Sequence, residues 1–92
     1  MLKIKDNVDL KELEKFGYEI IPEGIYAKSL GFWVNGIGDR HETFIAIEED
    51  RTINKYEVVS YCFHVYTQKK KHLFKYNIKD LIKADLVEKV EE

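Results

Sequence analysis

Cysteine is almost missing from this chain: Cys62 is the single thiol among 92 residues, so no intramolecular disulfide can form. Small secreted domains usually offset a thin core with two or more disulfides, and a lone thiol therefore leads us to expect a reducing, cytoplasmic compartment. Proline occurs once, at Pro22, and glycine five times, in keeping with a chain that has no linker and no low-complexity segment. Long apolar runs are lacking as well. None approaches the ~20 residues needed to cross a bilayer, and Leu2-Lys3-Ile4-Lys5-Asp6 has neither the apolar run nor the cleavage site of a signal peptide. No membrane partner is expected. There is also no excess of basic charge, with 15 basic residues against 17 acidic ones. That balance argues against a general polyanion binder and leaves room for a local basic patch.

What is present is enough apolar surface for one core, at 45% hydrophobic residues, and enough charge to dissolve it. A chain this short does not support two cores, so residues 1–92 are read as a single domain. Asp9-Leu10-Lys11-Glu12 has capping-box spacing with Asp9 as N-cap, and Val8 and Leu13 stand at staple positions. Leu10, Leu13 and Phe16 share one face of the predicted helix, Lys11, Glu12, Glu14 and Lys15 the other, and Gly17 ends it. So short a helix must lie on something larger, here a sheet.

From Tyr18 to Thr67 the composition is that of an antiparallel meander. Pro22-Glu23-Gly24 marks one turn. Asn35-Gly36, with Gly38-Asp39 just beyond, separates Phe32-Trp33-Val34 from Thr43-Phe44-Ile45-Ala46-Ile47. After the polar stretch 48–52, one long strand is expected from Tyr56 to Thr67. In it Val59, Tyr61, Phe63 and Val65 are assigned to the core, and Val58, Ser60, Cys62, His64 and Tyr66 to a partly wet face. A second helix is expected after the lysines, with Asn77 as N-cap, Tyr76 and Leu81 as a staple, and Ile78, Leu81 and Ile82 inward. A final strand at 86–90 should pair with Leu2-Lys3-Ile4 and tie both termini to the sheet. The predicted order is β-α-β(meander)-α-β, an α+β fold with two short helices packed on one sheet face.

Chemistry-bearing residues are sparse. Cys62 and His64 stand two apart and would share a strand face, but their Cα atoms would then lie ~6.5–7 Å apart, long for a thiolate-imidazole pair. They are read as a small apolar filler and a half-exposed sheet residue. His41, Cys62, His64 and His72 show no zinc-ligand spacing, and Gly36-Ile37-Gly38 precedes a strand, not a helix, so neither a metal nor a phosphate cradle is expected. Glu48, Glu49 and Asp50 read as a solvated turn. No cofactor is expected, and the chain is read as non-enzymatic.

The candidate binding residues are Tyr66, Lys69, Lys70, Lys71, Phe74 and Lys75. Basic groups interleaved with aromatics suit base stacking with phosphate contacts. The simpler account has the lysines capping a strand end and guarding a sheet edge, while Phe74 and Tyr76 enter the core. Trp33 and the six tyrosines are alternative material for a protein-binding surface.

The opening, from Lys3-Ile4-Lys5-Asp6-Asn7-Val8-Asp9-Leu10 through Lys11-Glu12-Leu13-Glu14-Lys15-Phe16-Gly17-Tyr18, resembles that of small phage and prophage accessory proteins of Gram-positive and related bacteria. Asp80-Leu81-Ile82-Lys83-Ala84-Asp85-Leu86-Val87-Glu88-Lys89-Val90 is similar in the same way. The resemblance covers about a third of the chain and implies a compact protein in the host cytoplasm that binds and disables a host protein, such as a defence nuclease, as anti-CRISPR proteins do. A nucleic-acid-binding module using residues 66–79 is the alternative.

Overall fold

Turn chemistry divides the middle of the chain where the sequence places the breaks. Asn35 Oδ1 accepts the amides of Ile37 and Asp39, each at 3.0 Å, and Gly38 takes the left-handed conformation at φ 89°. This side-chain mimicry of a backbone turn is what asparagine is suited to. It reverses β3 (Tyr26–Val34) into β4 (Arg40–Ile47). At the preceding break, the Gly24 amide donates to the Ile21 carbonyl at 2.8 Å and links β2 (Glu19–Ile20) to β3.

The computed structural model describes residues 1–61 and 66–90. Among these, β2, β3, β4, β5 (Ile53–Ser60) and β6 (Tyr66–Lys71) form a five-stranded antiparallel meander in that order. A separate two-stranded antiparallel sheet joins β1 (Leu2–Ile4) to β7 (Val87–Lys89). A 3-10 helix at Leu10–Phe16 follows β1, and a second at Lys75–Ile78 runs into α1 (Lys79–Lys83) ahead of β7. The fold is α+β with a meander.

The run from Tyr56 to Thr67 is not one strand. Ser60 pairs with Tyr66 and Val59 with Thr67, so the chain has reversed between them. Residues 61–65 contain no Gly, Pro, Asn or Asp, and hence no turn signal in the sequence. Cys62, Phe63, His64 and Val65 lie outside the described residues, and so do the readings made for them. Tyr61, assigned to the core, is 39% exposed.

The core forms where the helices meet one end of one sheet face. Tyr26, Ile45, Ile47 and Ile53 project from the sheet, and Ile4, Leu13, Tyr18, Ile78 and Leu81 close over them. Asp9 caps the first 3-10 helix through the Lys11 amide at 3.0 Å, and Gly17 ends it at φ 89°. Glu12 does not complete a capping box; its carboxylate takes Lys15 Nζ at 3.0 Å. Leu13 is fully buried, with Val8, Leu10 and Phe16 packed around the core's edge. Asn77 is not the N-cap of the second helical segment. It stands inside the first turn and its Oδ1 accepts the Phe74 amide at 3.0 Å, closing the turn from the opposite end. Tyr76 makes no staple with Leu81, because it points to solvent, and Ile82 is exposed while Ile78 and Leu81 are buried.

The terminal strands pair as expected but do not extend the meander. The β4–β5 turn holds them beside it. Ile4 donates its amide to the Arg51 carbonyl at 2.9 Å, and the Arg51 guanidinium donates to the Lys5 and Val8 carbonyls, each at 2.7 Å.

Candidate functional site

Strand alternation puts two sets of side chains on opposite faces of the meander. Tyr26, Ile45, Ile47, Ile53 and Lys55 face the helices. Ala27, Phe44, Ala46, Tyr56 and Val58 face the other way, as the cross-strand pairs Ala27↔Ala46, Phe44↔Tyr56 and Val58↔Gln68 require. Both helical segments pack on the first set, so among the described residues no element covers the second.

That second face holds a hollow of about 910 Å³. Ile25, Ala27, Phe44, Ala46 and Val58 give it an apolar floor, and Tyr66 and Gln68 of β6 bound one side. Glu23, Glu48, Glu49 and Asp50 rim the end at the β4–β5 turn. The apolar surface continues past the hollow to exposed Phe32 and Val34 on β3, where the Arg40 guanidinium lies 4.2 Å over the Phe32 ring.

The rim gathers four acids that lack a lysine or arginine partner, a condition that Asp9, Glu14, Glu19 and Asp39 share singly elsewhere among the described residues. Asp6, Glu12, Glu42, Asp80, Asp85 and Glu88 are all salt-bridged to lysine or arginine. Among the described residues, none of the four rim carboxylates forms such a pair. The Thr52 hydroxyl and amide hydrogen-bond Asp50 and hold its carboxyl below the usual range, so it stays ionised. Glu48 accepts from the Tyr56 hydroxyl. Lys3, in register with Thr52, adds its positive charge near Asp50, and Lys70, which pairs across strands with Tyr56, shares the open face.

The six candidate binding residues do not form one patch. Tyr66 and Lys70 belong to the open face. Lys69 and Lys71 point to the opposite face, where Lys71 pairs with Lys55. Phe74 goes with them, since Lys55 Nζ lies 5.5 Å from its ring centroid. Lys75 is exposed on the second 3-10 helix. Lys69, Lys70 and Lys71 are the last three residues of β6, an edge strand, and so stand at a strand end on a sheet edge, as the simpler account has them. The aromatics do not enter the core: Phe74 is 45% exposed and Tyr76 69%.

Val58, expected on the partly wet face of its strand, lies on the open face, whereas no motif in the sequence marks Ile25, Phe44 and Tyr56 as site residues. The available signal was Phe44-Ile45-Ala46-Ile47, which is apolar at every position and so apolar on both faces. Two short helices cannot cover both faces of a five-stranded sheet. No group of three or more histidine, cysteine or acidic side chains arranged to hold a metal occurs among the described residues, and no described helix is long and apolar enough to cross a membrane. No protein-family model, curated protein or solved structure matches the chain.

Proposed function

We propose that this chain is a non-enzymatic binding module that holds a segment of another protein on the open face of its meander. The occupant is an apolar segment with flanking basic residues. Its apolar side chains sit over Ile25, Phe44 and Val58, and its basic groups meet Glu23, Glu49 and Asp50. The observation that carries this reading is the union of an uncovered apolar face with an acidic rim unpaired among the described residues. Apolar burial supplies affinity, at ~25 cal/mol per Å² removed from water. Charge complementarity supplies orientation and a faster encounter. A small molecule suits the place less well, since such ligands are usually enclosed over most of their surface. The terminal resemblance to phage accessory proteins directs the search for the partner to host proteins, defence nucleases included.

Selection from a displayed random peptide library tests the reading. Enriched peptides should combine apolar residues with lysine or arginine. Val58→Asp should abolish their binding, and Glu23→Lys with Glu49→Lys should weaken it mainly through a slower on-rate that rises less steeply as salt is lowered. Enriched peptides indifferent to all three changes would reject the site. Sedimentation showing a dimer of the wild type that Val58→Asp dissolves would assign the face to a second copy of the chain instead.

A further inference from the structure

The opposite side of the meander carries a second surface of different chemistry. Between Tyr66 and Lys83 the sequence has six lysines and one acid, Asp80. Folding sends Lys70 to the open face and leaves Lys69, Lys71, Lys75, Lys79 and Lys83 elsewhere, with Lys55 beside Lys71. Of the acids near them, Asp80 is already engaged by Lys28 at 3.4 Å, and Glu57 pairs across strands with Lys69.

An aromatic ladder stands among these lysines. The His72 ring meets Phe74 edge-on at 4.4 Å, and Phe74 stacks on Tyr76 with centroids 5.3 Å apart and planes within 13°. The ladder is built to face outward. Leu73 packs against the core and Ile78 is fully buried, while the Asn77 side chain ties down the Phe74 amide and accepts Lys55 Nζ at 3.4 Å. The rings between those anchors are thereby held in water. Tyr76 also lines a hollow of about 400 Å³ with Lys28, Asn77, Lys79, Asp80 and Lys83.

We infer that this surface binds single-stranded nucleic acid, with a base stacked on Tyr76 and backbone phosphates held by Lys55, Lys71, Lys79 and Lys83. Every base presents a flat face to an aromatic ring, and a single strand leaves those faces free, whereas a duplex hides them. An acidic protein would use the lysines but has no need of a preset ring ladder. The overall charge of -2 does not oppose this locally, because the rim acids lie on the other face of the sheet.

Fluorescence anisotropy with labelled oligothymidylate, and with its duplex on oligoadenylate, decides the matter. The wild type should bind the single strand more tightly than the duplex. For four phosphate contacts the log-log salt slope should be about -3, from ~0.7 per phosphate on single strands. Tyr76→Ala should weaken binding roughly ten-fold or more, Tyr76→Phe should retain it, and Lys79→Glu with Lys83→Glu should flatten the slope. Val58→Asp should leave it intact, which separates this site from the open face. The inference is overturned if the single strand fails to bind at low ionic strength. It is overturned equally if single strand and duplex bind alike and Tyr76→Ala changes nothing, or if polyglutamate displaces the strand as well from Tyr76→Ala as from wild type. Should Tyr76→Ala unfold, Tyr76→Leu, which keeps apolar bulk but has no flat aromatic face, carries the same comparison.

Discussion

The Tyr56 hydroxyl donates to Glu48 Oε1 across 2.8 Å, at the point where the apolar floor of the open face meets its acidic rim. Asn54 Nδ2 reaches the same oxygen at 3.4 Å. Glu48 is therefore committed to the protein, and of the four rim acids Glu23 and Glu49 remain the most available to a partner.

Tyr56 should ionise late. Withdrawal from water, and secondarily the Glu48 carboxylate that would face a phenolate, push its pKa up to about 12. The folded value lies above the ordinary phenol value of ~10. The folded state thus holds the proton more tightly, and the associated stability is fully present below pH ~10 and lost as pH rises through the folded pKa. Phenolate absorbance checks this. The difference between wild type and Tyr56→Phe should appear near pH 12 and move toward ten in Glu48→Gln. A wild-type difference already centred on ten would show that the hydroxyl is neither withdrawn from water nor bonded to Glu48 in solution.

Leu13 and Asp9 act on the same helix with unequal weight. Leu13 is wholly buried, so Leu13→Ala should cost about 2–5 kcal/mol. Asp9 is exposed and contributes one capping bond, so Asp9→Ala should cost about 0.5–2 kcal/mol. Urea unfolding would rank them. Negligible losses for both would mean that the first helix does not hold to the sheet.

Arg51 joins the β4–β5 turn to the N-terminal strand through two guanidinium-to-carbonyl bonds, and does so from a left-handed backbone at φ 73°. Arg51→Ala loses the donors and keeps the unfavourable backbone, and should destabilise by about 1–3 kcal/mol. Arg51→Gly loses the same bonds but relaxes the backbone, so its loss should be smaller. Denaturant midpoints of the two variants test the order. An unchanged midpoint in Arg51→Ala would leave the guanidinium without a structural role.

Local chemistry was legible wherever a feature is decided by a few neighbouring residues. Asp9 and Gly17 bound the first helix, Asn35 and Gly38 shape the β3–β4 hairpin, and Leu2-Lys3-Ile4 pairs with the last strand, all as their sequence context implies. Such features depend on backbone geometry and on side chains reaching their own near neighbours. What the sequence could not decide was coverage. Alternation divides Phe44 and Tyr56 from Ile45 and Lys55, but it carries no label for which face the helices choose, because that depends on the summed fit of Leu13, Ile78 and Leu81 against the sheet. The reversal between Ser60 and Tyr66 was likewise hidden, since no turn former marks it and its stability comes from β6 pairing along β5. Phe74 and Tyr76 looked like core residues by their chemistry. Only the fold, with Leu73 and Ile78 already filling the inward positions, decided that those two rings would face water.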